Sequence, residues 1–203
     1  MKKIILKILF VLPFLGCNKE ETIISQCEDL LPTITTTGAN TFGCCINSNL
    51  LKPRDGSGTF GGSDGGFITW GDTSGNNFFD EIDIHDFASE RTGSILIHIQ
   101  NTFYNGVGDY TINVSNGIRG FGSNQHTHLF CRVFDYKNNK YQYYRSFDNS
   151  GILKILRYDF ANRIVSGTFN CKVVNSSNIN DTIQIKNGRF DYNWITLYQT
   201  SFP

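Results

Sequence analysis

Glu81, Asp83 and His85 stand two residues apart in the run Phe78-Phe79-Asp80-Glu81-Ile82-Asp83-Ile84-His85-Asp86-Phe87, and His126-Thr127-His128 repeats the same spacing. Residues i and i+2 of a strand share one face and lie roughly 7 Å apart along it, within reach of one metal ion. Asp83 and His85, joined by His98, His126 or His128, therefore form the first candidate metal set. The competing reading is a solvated outer face of an acid-rich strand, and no flanking motif marks a ligand set.

A second string, Gly61-Gly62-Ser63-Asp64-Gly65, satisfies the G-x-S-x-G pattern of a hydrolase nucleophile elbow. That chemistry needs the serine on a strained turn between a buried strand and a helix, whereas Ser63 lies in a glycine run with no helical register after it. A flexible loop is the expectation. Tyr141, Tyr143 and Tyr144 beside Arg145 offer aromatic faces for stacking, yet alternation splits Tyr141 and Tyr143 from Tyr144, so cross-strand packing is expected first.

The six cysteines carry a different chemistry. Met1-Lys2-Lys3, an apolar run from Ile4 to Leu12 and Pro13-Phe14-Leu15-Gly16-Cys17 read as a signal peptide ending at a lipid-accepting cysteine. The apolar run is short of the about 20 residues that span a bilayer. Residues 1–16 are expected to be removed, and Cys17 to be lipidated. The remaining Cys27, Cys44, Cys45, Cys131 and Cys171 are an odd number in an oxidising compartment. If Cys44-Cys45-Ile46 opens a strand, Cys44 shares the inward face with Ile46 while Cys45 points outward towards Cys27. Cys131 and Cys171 are both inward, as a disulfide across the core or as buried thiols. No C-x-x-C pair is present, so zinc is not indicated, and no cofactor is expected.

The elements that must position these groups read as strands. Ile95, Ile97 and Ile99 share a face, as do Tyr110, Ile112 and Val114, then Leu129, Cys131 and Val133, then Val165, Gly167, Phe169, Cys171 and Val173, and finally Ile183 and Ile185. Turn signals fall between or inside the runs at Tyr104-Asn105-Gly106, Lys137-Asn138-Asn139-Lys140, Asn149-Ser150-Gly151 and Asn187-Gly188. No sustained helical register follows the signal peptide. The expected fold is all-β, an antiparallel β-sandwich or open barrel over residues 41–203, preceded by a flexible tether over residues 17–40. Loss of the three lysines in residues 1–16 leaves 15 basic against 18 acidic residues. A mildly acidic chain without clustered Lys and Arg excludes nucleic acid as a partner.

Three segments, Thr37-Gly38-Ala39-Asn40-Thr41-Phe42-Gly43-Cys44, Ser166-Gly167-Thr168-Phe169 and Asn187-Gly188-Arg189-Phe190-Asp191, carry a resemblance to an uncharacterised family of lipoproteins from Bacteroidetes-type bacteria. The chain departs from that pattern at Cys45 and at Asn47-Ser48-Asn49. The resemblance implies an envelope lipoprotein with a β-rich domain and brings no activity with it. Lys19-Glu20-Glu21, just after Cys17, is similar to the export signal that sends such lipoproteins to the cell surface.

The expected function is thus a non-catalytic binding or structural module. It is held to the outer membrane by the lipid on Cys17, at the cell surface or facing the periplasm, and offers loops to a glycan, peptide or protein. A metal-dependent or hydrolytic enzyme using Asp83, His85, His126 and His128 is the alternative.

Overall fold

A computed structural model of the chain describes residues 26–57, 65–72, 78–118 and 125–203. The signal peptide, Cys17, Lys19-Glu20-Glu21 and Ser63 lie outside the described residues.

The described chain is an open antiparallel sheet of eleven strands. The first five are β1 (Thr41–Ile46), β2 (Asn49–Leu51), β3 (Phe67–Asp72), β4 (Phe79–His85) and β5 (Ser94–Gln100). They are followed by β6 (Gly108–Ile112), β7 (His128–Asp135), β8 (Lys140–Arg145), β9 (Gly151–Asp159), β10 (Ile164–Asn175) and β11 (Asn178–Asn193). The spatial order is β2-β1-β11-β10-β8-β7-β5-β4-β3, with β9 and then β6 added alongside β10. Besides helical residues 26–29, helical structure among the described residues is limited to Thr102–Asn105, where a turn was expected, and the 3-10 turn Leu197–Gln199.

Alternation explains the inner face. Ile95, Ile97 and Ile99 of β5 are fully buried, as are Ile82 and Ile84 of β4, Leu129 and Cys131 of β7, and Leu153 and Ile155 of β9. With Phe42, Val165, Phe169 and Tyr192 they form one core. Each aliphatic side chain taken from water contributes about 1.5–3 kcal/mol, which is why the alternating runs fix which face turns inward.

The alternation breaks once inside β11. Ile183 and Ile185 are inward, but so are Phe190 and Tyr192, on the opposite parity. Asn187, at φ 53°, supplies the change, for Phe169 pairs with Gly188 while Cys171 pairs with Ile185. The Asn187-Gly188 signal is thus a β-bulge within one long strand, which bends it without ending it.

The three segments of the sequence resemblance meet here. Thr41 pairs with Asp191, Phe42 with Phe190 and Gly43 with Arg189 on one side of β11, while Ser166 pairs with Asp191, Gly167 with Phe190 and Phe169 with Gly188 on the other. Their composition therefore has a packing explanation: three adjacent strands in one register around a bulge.

The expected loose tether over residues 17–40 needs correction from about Leu31 onward. Asp191, on the outer face of β11 and 1% exposed, accepts hydrogen bonds from Thr35 Oγ1 (2.7 Å), Thr37 N (2.9 Å), Gly38 N (2.8 Å) and Ala39 N (3.1 Å). Arg189 Nη1 donates to Pro32 O at 3.1 Å and Arg157 Nη1 to Thr36 O at 2.7 Å. The polar, Thr-rich composition that suggested a free linker is the donor set of a strap. Gly43 lies directly under that strap, where a Cβ would come within 2.6 Å of Pro32 and 2.9 Å of Leu31. Upstream, Cys27 is disulfide-bonded to Cys45 on the same outer side.

Two seams draw the open sheet's edges together. Arg54 N donates to His85 O and Phe87 N to Arg54 O, joining the exit of β2 to the exit of β4. Asn113 N donates to Thr127 O and Ser115 N to Ser146 O, joining the exit of β6 to the entry of β7 and the exit of β8.

Candidate functional site

The metal candidates from sequence divide into two rows on the outer face of the β4–β5–β7 region. Glu81, His98 and His128 are cross-strand partners in one row, whereas His85 sits opposite Ser94, whose partner on β7 is Arg132. Four residues along β7 and two strand spacings separate His85 from His128, which is roughly 16 Å. Asp83 does meet His85, with Oδ1 3.3 Å from Nε2. His126 is exposed and its carbonyl accepts a hydrogen bond from His128 Nδ1 at 2.8 Å. Asp83, His85, His126 and His128 are therefore not brought to one point. Among the described residues no group of three His, Cys, Asp or Glu is arranged to hold a metal ion.

His98 is held on both sides. Its Nδ1 lies 2.8 Å from Glu81 Oε1 and its Nε2 2.9 Å from Gln100 Oε1, so neither ring nitrogen is left for coordination. The ring stacks between Phe79 (4.9 Å) and His128 (4.8 Å). Burial drives the His128 pKa down to about 4, against the opposing pull of its bond to His126, so the ring is neutral near pH 7.

The remaining sequence candidates are structural. Tyr144 is buried in the core, while Tyr143 stacks on Phe130 and Tyr141 lies under Arg132 at 4.3 Å. Cys44, Cys131 and Cys171 are buried thiols, all with pKa raised by desolvation. A thiol held protonated in this way is a poor nucleophile.

The one core-facing acid of β4 is Asp80. It occupies the parity of Ile82 and Ile84, yet lies past them at the end of the core, opposite Gly71 of β3. It is 3% exposed, and burial raises its pKa to about 6, the hydrogen bond from Thr102 Oγ1 pulling the other way. Gly71 keeps the space beside the carboxyl open, since a Cβ there would stand 3.1 Å from Asp80 Oδ1. Tyr110, Tyr158 and Tyr192 are all shifted upward, first by burial and then by the Asp80 charge. Tyr192, fully buried, makes no hydrogen bond of good geometry through its hydroxyl, with the Trp194 side chain alongside it.

At Asp80 the fold opens into a cavity of about 310 Å³ lined also by Trp194, Phe160, Arg163, Trp70, Thr69 and Gly71. Phe160 and Trp194 meet edge to face at 6.3 Å and 78°. The Arg163 guanidinium lies 4.4 Å over the Phe160 ring. Arg163 adopts φ 61°, a conformation that glycine or asparagine takes at less cost, in the turn joining β9 to β10. A cavity of about 390 Å³ on the far side of Trp194 is bordered by Tyr198 and Phe202. The hollow at the Arg54 seam, about 270 Å³, offers less, because its buried acid Asp86 is already engaged by Arg54 through two bonds of 2.7 and 2.6 Å.

Sequence reasoning passed over Asp80, Thr102, Phe160, Arg163 and Trp194. Period-two counting from Ile82 and Ile84 could have found the first of them, because it places an acid on the core face.

Comparison with known proteins finds no similar chain: no family model, no curated protein and no solved structure matches.

Proposed function

We propose that this chain is a lipid-anchored envelope protein whose β domain is a non-catalytic binding module, with its ligand site at the aromatic mouth over Asp80. The anchoring rests on the sequence: the basic start, the short apolar run and Gly16-Cys17, together with the resemblance to a Bacteroidetes-type lipoprotein family. Lys19-Glu20-Glu21 favours the outer face of the outer membrane over the periplasmic side.

The binding assignment rests on one observation, the buried Asp80 carboxyl at the floor of an open cavity walled by Phe160 and Trp194. An apolar concavity with a few convergent polar groups and a perturbed acid is the usual form of a small-molecule site. Among the described residues the cavity lining contains a single carboxyl group. Hydrolysis of a glycoside by the common mechanism uses two, which favours binding over cleavage here.

The test has two parts. Fatty-acid labelling of the intact chain and of Cys17→Ala should mark only the former, and label on the variant would remove the anchor. Protease treatment of whole cells should cleave the surface-displayed protein and spare it once Lys19, Glu20 and Glu21 are all changed to Ala. Protection of the unaltered protein until lysis would place it on the periplasmic side.

A further inference from the structure

We propose that the mouth over Asp80 takes a neutral sugar ring presented by a glycan. This rests on the reading of the mouth as a ligand site and names its ligand class.

Four features of the cavity select that chemistry. Its volume, about 310 Å³, stands at the small end of ligand cavities, which run from about 300 to 1,000 Å³. That space suits a single ring better than an extended peptide. Its walls are aromatic, and Phe160 and Trp194 meet at 78°, so two differently oriented apolar surfaces border one space. A pyranose carries C–H groups on its faces and hydroxyls round its edge, and so matches aromatic walls with polar groups between them.

The polar groups decide the charge of the ligand. Asp80 is an acceptor and Arg163 a fork of donors, and the same cavity holds both. A free anion would meet the Asp80 carboxylate, and a free cation would meet the Arg163 guanidinium. A hydroxyl both donates and accepts, so adjacent hydroxyls on one ring can serve the carboxylate and the guanidinium together, in charge-assisted bonds. Thr69 adds a hydroxyl to the lining.

The walls are also set in place before any ligand arrives. The Arg163 guanidinium lies over Phe160, Phe160 packs edge-on against Phe103 at 5.4 Å, and Trp194 packs against Tyr158 at 6.2 Å. Asp80 is fixed by the Thr102 hydroxyl. Preorganisation of this kind lowers the entropy lost on binding.

The experiment uses the full chain in lipid nanodiscs, probed by saturation-transfer NMR. The neutral probes are glucose, galactose, mannose and N-acetylglucosamine, and the comparison probes are glucuronic acid, glucosamine and a short alanine-glycine peptide. The expected result is transfer to the ring C–H protons of at least one neutral sugar, stronger than to any comparison probe. In the unaltered protein that sugar should shift the Trp194 indole N–H and Arg163 Nε–H resonances. Its affinity should fall about tenfold or more in Asp80→Asn and in Trp194→Ala, the size expected when a charge-assisted bond or a stacking wall is lost. The unaltered protein's shifts keep the test decisive should either variant fail to fold. Preference for a charged sugar or the peptide, at the same two resonances, overturns the neutral-sugar proposal and leaves the binding-module reading standing. Absence of any probe from the Trp194 and Arg163 resonances overturns both.

Discussion

The hydroxyl of Thr102 donates to Asp80 Oδ2, so the first residue of the short helix is tied to the floor of the aromatic mouth. Both partners are almost wholly buried, Thr102 at 1% and Asp80 at 3%. The bond satisfies one carboxyl oxygen without removing the cost of keeping the group charged so far from water.

That cost sets the first prediction. Asp80 has a folded pKa of about 6, above its ordinary value of 3.8. A raised folded value means that the group's contribution to stability is fully present below pH 3.8 and is lost as pH rises through about 6. Asp80→Asn, which keeps an oxygen for Thr102 to donate to, should therefore stabilise the protein above pH 7. The gain should be on the order of 2–3 kcal/mol, and should vanish near pH 4. Urea unfolding at the two pH values measures it, and an equal effect at both would contradict the assigned burial cost.

His128 works in the opposite direction. Its folded pKa of about 4 lies below the ordinary 6.5, so the unfolded chain binds the extra proton first as pH falls. Its contribution is present above pH 6.5 and is lost between 6.5 and 4. Between pH 6 and 4 it opposes the Asp80 effect, so the intact protein should show a muted acid response. His128→Gln should flatten the acid limb further or reverse it, and Asp80→Asn should steepen it. Tm measured across pH 4–7 in both variants separates the two groups, and parallel curves would refute the assignment.

The strap over β11 gives a third expectation. Asp191→Ala leaves the Thr37, Gly38 and Ala39 amides without their acceptor. Global stability should fall by about 3 kcal/mol or more, since bonds to a charged group contribute about 1.5–3 kcal/mol each and do not add fully. Those three amides should lose their protection against hydrogen exchange before the β10 and β11 core does. Unchanged protection at the three positions would show that the strap is held by its other contacts.

The inner face was legible because its physics is local. Ile95, Ile97 and Ile99 alternate with period two, and any sheet that buries one of them buries all three. Asp80 belonged to the same arithmetic. The bulge at Asn187 was harder, because Asn-Gly serves both a hairpin turn and an extra residue within a strand, and only the partner strand distinguishes them. The mouth was not legible at all. Phe160 and Arg163 come from the β9–β10 turn, Trp194 follows β11 and Asp80 is the second residue of β4, and alternation says which face a residue takes but not which strand ends converge. The strap failed for a related reason: its acceptor, Asp191, lies 156 positions from Thr35.

The disulfide between Cys27 and Cys45 and the Asp191 latch have a bearing on where the domain can stand. With lipid on Cys17, nine residues, 18–26, separate the anchor from the first fixed point of the fold. A chain of that length reaches at most about 35 Å. On the proposed anchoring, the domain would be moored within that distance of the bilayer, and Cys27 would set the length of the mooring. Reduction of Cys27–Cys45 alone releases only the few residues before the strap, so the latch at Asp191 acts as a second stop. If the anchor and the sugar site are both as proposed, a glycan would have to come to the membrane, because the mooring would be too short for the domain to go out to meet it.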